Sequence, residues 1–272
     1  MANTSTTPDH RDAITLLARA GYGARGIVYL LVGGLAALAA LGEGGQTTGS
    51  RGALQEVLTA PLGGIMLGAI AVGLAGFALW RFVQAVMDTD QHGADAKGVA
   101  IRSSLLISAV THGLLAFFAV DLIFTLSAGS GGSGGGSGGF AAWLMSQPYG
   151  RWLVAAVGVA LVAAGIAHEI KAWKTKFDRH FSMPPQTQNW AYPLCRFGLA
   201  IRGLVFLIAG GFFILAGYQI NPEQAGGLAE VFSMVRSQIF GRWLLGLVAV
   251  GLFAFGLYSL LEAIYRRLNP PA

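Results

Sequence analysis

Six long stretches of this chain contain no Asp, Glu, Lys or Arg, and they constrain the fold more than anything else in the sequence. They are Gly26 to Gly42, Val57 to Trp80, Ser103 to Val120, Trp152 to His168, Gly203 to Pro222 and Trp243 to Leu261. About 20 apolar residues in a helix cross the roughly 30 Å hydrocarbon core of a bilayer. The first and fourth stretches are short and span only if flanking polar groups reach the interface. Composition agrees with immersion in lipid. Hydrophobic residues make up 54% of the chain and charged residues 11%, against about 25% charged in soluble domains. The first stretch carries the small-x-small pattern Ala37-Leu38-Ala39 of a signal-peptide cleavage site. A long polar stretch precedes it, and a near-copy recurs late in the chain, so a membrane span is the expected role.

That near-copy reveals a repeat. Ala18-Arg19-Ala20-Gly21-Tyr22-Gly23-Ala24-Arg25-Gly26 aligns with Cys195-Arg196-Phe197-Gly198-Leu199-Ala200-Ile201-Arg202-Gly203 at a constant offset of 177. Pro148-Tyr149-Gly150-Arg151-Trp152-Leu153 aligns with Ile239-Phe240-Gly241-Arg242-Trp243-Leu244, and more weakly with Pro61-Leu62-Gly63-Gly64-Ile65-Met66. The offset of 87 from Pro61 to Pro148 sets Arg25-Gly26 against His112-Gly113. The sequence therefore predicts an all-α, polytopic membrane protein of six transmembrane helices in three tandem two-helix repeats. Its divisions are a polar tail over 1–17, repeat 1 over 18–90, repeat 2 over 91–180 and repeat 3 over 181–272. Before each even-numbered span a short amphipathic segment is expected in the interface: Gly52 to Leu58, Gly139 to Met145 and Gly227 to Val235.

The arginine-glycine entry to the odd helices, the Gly-Arg-Trp-Leu entry to the even ones and their threefold recurrence resemble the bacterial membrane family called domain of unknown function 1206. The resemblance covers about Ala18 to Leu268. His112 and Gly64 depart from it, each standing where the sister repeats carry arginine. It implies the six-helix topology and a bacterial cytoplasmic (inner) membrane, and it supplies no activity.

Lysine and arginine set the orientation, because they stay on the cytoplasmic side. The side holding both termini has 14 of them and the other side 4. Both termini are therefore expected in the cytoplasm. This asymmetry accounts for the net charge of +5 without nucleic acid as a partner, and no nucleic-acid-binding motif is present. One cysteine, Cys195, excludes an intramolecular disulfide and a cysteine-based metal cluster.

Ionisable residues near or within the spans are the candidate functional groups. Arg25 and Arg202 serve most simply as helix-end anchors that snorkel to lipid phosphates. The repeat offers a second reading, in which Arg25, His112 and Arg202 stand at one depth. Around a pseudo-threefold axis they would form a positive ring that selects anions or holds anionic lipid head groups. His112 alone is expected to be neutral and bonded to a neighbouring helix, or to relay protons with His168 and Glu169. Asp121 lies roughly opposite His112 around its helix, and Glu262 is placed for an i,i+4 pair with Arg266. Two unlinked histidines carry little as haem ligands. Gly64 with Gly68, the Gly33-Gly34 and Gly210-Gly211 pairs, and the glycines of the last helix are expected at helix seams.

No nucleophile elbow, paired carboxylates or metal constellation is present. A non-enzymatic role without cofactor or metal is expected. One class is a structural or regulatory component that binds a protein partner or an anionic lipid. The alternative is a small-molecule or anion transporter or channel with a cytoplasmic-side Arg/His ring. Homo-oligomerisation is open.

Overall fold

The computed structural model describes residues 10–43, 49–127, 137–174 and 181–268. Most of the polar tail and of the glycine-serine run after Gly129 lie outside them. The helices are α1 (His10–Leu41), α2 (Ser50–Thr59), α3 (Gly63–Met87), α4 (Ala96–Ser127), α5 (Ser137–Met145), α6 (Gly150–Trp173), α7 (Pro185–Gln219), α8 (Leu228–Arg236) and α9 (Gly241–Tyr265). Six of them are long and apolar enough to cross a membrane: α1, α3, α4, α6, α7 and α9. The chain is a multi-pass membrane protein. The short helices α2, α5 and α8 fall on the three expected interfacial segments.

The long helices run well past the uncharged stretches that foretold them. Arg25, Arg81, Arg102, Arg202 and Glu262 lie inside helices and not at their ends. In lipid a backbone must keep its internal hydrogen bonds until it reaches water, so a helix does not stop at a charge. The charges are instead taken into the bundle.

All three repeats use the same corner between the short helix and the even span. The Gly63 N–H donates to Ala60 O at 2.8 Å, Gly150 to Gln147 O at 2.9 Å and Gly241 to Gln238 O at 2.8 Å. A Cβ on any of these glycines would collide with backbone at the end of the preceding short helix. This close approach is why the Gly-Arg-Trp-Leu motif begins with glycine.

The most extensive seams join repeats to each other: α4 packs on α3, α7 on α6 and α1 on α9. The last contact joins the first repeat to the third. Glycines permit these approaches. Gly26 lies on the Gly256 carbonyl, Gly33 against Ala249 and Phe253, Gly203 on the Gly165 carbonyl and Gly210 on that of Gly158. Each seam also carries an arginine on the carbonyl end of the even helix. Arg19 donates to Ile264 O at 3.1 Å, Arg102 to Ala85 O at 2.7 Å and Arg196 to Ala172 O at 3.1 Å. A cation there satisfies orphan carbonyls and complements the helix dipole.

Within the repeats the picture differs. α1 crosses α3, and α7 crosses α9, in intimate contact, whereas α4 and α6 of the middle repeat touch marginally at most. Gly21 lies on the Phe77 backbone and Gly73 on Ala24; in repeat 3, Gly198 lies on Phe255 and Gly251 on Ile201. Four residues before His112, and nine beyond Arg151, the middle repeat has Ser108 and Ala160 in place of these glycines. The close glycine contacts of the sister repeats are missing from the middle one. Accordingly only 22% of the α4 span and 17% of the α6 span are buried, against 44–61% for the other four.

Some glycine expectations change. Gly64, Gly68, Gly34 and Gly211 meet nothing on their open side, while Gly33 and Gly210 are at seams. The small-x-x-x-small pair of α3 faces outward.

Candidate functional site

At the end of the bundle that carries the helix hairpins, two phenylalanines from equivalent places organise the charged groups. Phe77 and Phe255 each lie thirteen residues beyond the corner motif position of Gly64 or Arg242, and both are buried. The Arg25 guanidinium lies 4.8 Å from the Phe77 ring centroid, 5.1 Å from that of Tyr22 and 5.3 Å from that of Phe255. Arg202 lies 4.2 Å from Phe255, 4.5 Å from Tyr29 and 4.7 Å from Phe206. Arg81 joins Arg25 on Phe77, at 4.8 Å. Each cation–π contact contributes about 0.5–2 kcal/mol, more where water is excluded. Aromatic rings thus hold the guanidinium groups at the centre of the bundle and fill the space between them.

Arg25 and Glu262 form a buried ion pair, and Arg25 Nε donates to Ser259 Oγ at 3.1 Å. Arg266 Nη1 donates to the other Glu262 oxygen at 2.6 Å, and its Nη2 lies 3.5 Å from Asp90 Oδ2. Gln84 ties Asp90 to Arg81: Gln84 Nε2 donates to Asp90 at 2.8 Å and its oxygen accepts from Arg81 Nη1 at 3.1 Å. Lys171 Nζ donates to Tyr258 Oη at 2.6 Å. Burial opposes the charge on Arg266, but Tyr22, Glu262 and Asp90 outweigh it and keep its pKa above the ordinary arginine value. In the adjoining hairpin, the backbone N–H groups of His92 and Gly93 hold the Asp88 carboxyl below its usual range.

Arg25 and Arg202 do not snorkel. They are 5% and 8% exposed, and they share the Phe255 ring. The bundle interior satisfies them better than lipid phosphate would, because the aromatic faces lie along the path of each side chain. Glu262 makes the expected pair with Arg266 and adds Arg25. His112 hydrogen-bonds within its own helix, Nδ1 to Ser108 O at 2.8 Å, and presents its ring edge to Phe77, with centroids 4.7 Å apart. The neighbouring-helix hydrogen bond expected for it is replaced by that aromatic contact. His168 repeats the arrangement, Nδ1 to Ala164 O at 2.8 Å, with Phe206 at 5.4 Å. Both histidines lie within electrostatic reach of Arg202. Glu169 lies against Gly203 on the α6–α7 seam. Among the described residues no hydrogen bond or ion pair joins His112, His168 and Glu169 to one another, and Asp121 is exposed, away from the cluster.

Arg81, Asp90 and Lys171 were not singled out in the sequence, and Arg266 was named only as the partner of Glu262. The repeat carries the signal that would have found two of them. Positions 17 and 20 residues past the corner read Arg81, His168 and Ser259, then Gln84, Lys171 and Glu262. Every one of these six is polar, in stretches that are otherwise apolar.

Among the described residues the charge in this cluster does not balance. Arg25, Arg81, Lys171, Arg202 and Arg266 face two carboxylates, Asp90 and Glu262, and a positive excess remains even with Glu169 counted. The buried groups that find no hydrogen-bond partner among the described residues include Arg81 Nε, Arg202 Nε and Nη1, Arg266 Nε, Trp80 Nε1 and Tyr22 Oη. All can donate, and all but the tyrosine hydroxyl can only donate.

The family model described as Domain of Unknown Function (DUF1206) matches the chain in three tandem regions, residues 20–88, 103–175 and 197–266. The chain is also 28% identical over 257 residues to the "Uncharacterized protein YxxB" of Bacillus subtilis (strain 168), across 92% of this chain and 90% of that protein. No solved structure matches it.

Proposed function

The chain belongs to the DUF1206 family, whose description assigns no activity, and we propose from the geometry that it is a non-catalytic membrane component that binds an anionic group at the cluster centred on Arg202. One observation carries this reading. Arg202 is 8% exposed, and among the described residues it pairs with no carboxylate and its Nε and Nη1 find no hydrogen-bond partner. A buried charge without a counter-charge costs several kcal/mol. An anion supplies both the missing charge and the missing acceptors, and guanidinium groups suit phosphate and carboxylate geometry. In this reading Arg25 and Arg202 attract, and His112 and His168 flank the site.

The placement is proposed for a bacterial inner membrane with both termini cytoplasmic, which sets the arginines at the depth of inner-leaflet head groups. Alkaline phosphatase fused after Ala272 should be inactive; activity there would reverse the orientation. Binding itself is tested by native mass spectrometry of the purified protein and an Arg202→Gln variant, with phosphatidylglycerol and inorganic phosphate as probes. The wild type should retain an anion that the variant loses. Equal retention by both would remove Arg202 from any site. The aromatic rings between the arginines oppose an open conduit, and chloride or phosphate flux through reconstituted protein would replace this reading with transport.

A further inference from the structure

Among the described residues, the proposed anionic site lies beside a joint where the ring of helices is not closed, that between α4 and α6. In repeats 1 and 3 the two spans of a repeat cross on paired glycines, Gly21 with Gly73 and Gly198 with Gly251. In the middle repeat Ser108 and Ala160 stand there, and α4 and α6 part. The two histidines within electrostatic reach of Arg202 come one from each wall of this parting, His112 from α4 and His168 from α6. Both are half-buried, as are Ser108 and Ala160. The lipid-facing flanks are apolar: Val110, Leu114 and Phe117 on α4 and Ile166 on α6.

From this geometry, and resting on the anion-binding reading above, we infer that the ligand is an anionic phospholipid that enters sideways from the bilayer. Its phosphate reaches Arg202 between His112 and His168, and an acyl chain lies in the cleft between α4 and α6. Two observations select this occupant. The outward flanks of α4 and α6 are apolar, and apolar walls favour an acyl chain over a hydrated ion. The inner end of the cleft holds a cation with unpaired donors, whose partner an anionic head group supplies. An uncharged lipid answers the first and a soluble anion the second; an anionic phospholipid answers both.

Native mass spectrometry in mild detergent tests it, with phosphatidylglycerol, phosphatidylcholine and inorganic phosphate as separate probes. Four variants divide the outcomes. Ala160→Phe fills the cleft. Ser108→Gly/Ala160→Gly installs the residues of the sister repeats, which fold as closed crossings, and lets α4 and α6 meet. Val159→Phe adds the same bulk on the exposed neighbouring position. Arg202→Gln removes the head-group partner. Wild type and Val159→Phe should retain one phosphatidylglycerol per chain and no phosphatidylcholine. Ala160→Phe, the glycine pair and Arg202→Gln should each drop retention by about tenfold or more. Lipid that depends on Arg202 but ignores both cleft variants overturns the cleft and leaves the anion site standing. Inorganic phosphate bound with no lipid does the same. A dimer that is lost in Val159→Phe would show that a second copy covers the cleft, and would also overturn the inference. Retention unchanged in Arg202→Gln removes the site as well.

Discussion

Repeats 1 and 3 and the middle repeat descend from one pattern and solve it differently. In the outer two, glycines let the spans cross closely, and a phenylalanine, Phe77 or Phe255, sits beneath an arginine. In the middle repeat the crossing glycines are Ser108 and Ala160, the phenylalanine is Ala164 and the arginine is His112. Each change is small, and together they remove the seam. A pseudo-symmetric ring can thus build a site by declining to close one of its three equivalent joints, leaving the closed joints to supply the charge.

The largest expected difference between the two kinds of repeat is at the position twenty residues past the corner. Glu262 holds Arg25 and Arg266 together in the closed repeat, so Glu262→Gln should cost about 3–5 kcal/mol, the usual loss when one partner of a buried pair is removed. Lys171, its counterpart in the open repeat, makes one hydrogen bond to Tyr258, and Lys171→Met should cost about 1 kcal/mol. Thermal unfolding in detergent checks both; equal losses would mean that the repeats bear the charge network equally.

A methyl group should matter next. A Cβ on Gly73 would stand 2.5 Å from Ala24 Cβ, and Gly73→Ala should cost about 1–3 kcal/mol by overpacking. Ala160→Gly changes the same register in the open repeat and should cost no more than the helix-propensity difference, about 1 kcal/mol. The reverse ranking in melting temperature would contradict the glycine account of the crossings. The arginine caps come after these. Arg19→Ala, Arg102→Ala and Arg196→Ala should each cost about 0.5–1 kcal/mol, seen as faster amide exchange in the last turns of α9, α3 and α6.

The smallest effect is a pH effect in the α3–α4 hairpin. Asp88 has its folded pKa lowered by the His92 and Gly93 N–H groups. Its contribution is therefore present above the unfolded carboxylate range, about pH 4, and disappears as pH falls through the lower folded value. Amide protection at His92 and Gly93 should weaken on acidification, and Asp88→Asn should abolish that acid dependence.

Much of the architecture was legible because lipid leaves little choice. Six charge-free stretches and an offset repeat give the spans, and the corner glycines announce themselves by recurring. The charged end was not legible to the same degree. Arg25 and Arg202 read as interface anchors because a sequence shows depth along a helix but not which face a residue occupies. Only the ring closure by α1 and α9 turns them inward onto Phe255. The open joint was written in Ser108 and Ala160, yet two substitutions of small residues look trivial until the sister glycines are seen packed against a neighbouring helix.

Distances between spin labels at equivalent outward positions test the open joint most directly. In a Cys195→Ser background, cysteine pairs at Gly23 with Val72, Val110 with Val159, and Ala200 with Val250 place one label on each span of repeats 1, 2 and 3. Pulsed electron–electron resonance in lipid nanodiscs should give similar distances for the first and third pairs and a longer, broader distribution for the middle one. Three matching distributions would show that α4 and α6 close like their sisters, and would contradict the account.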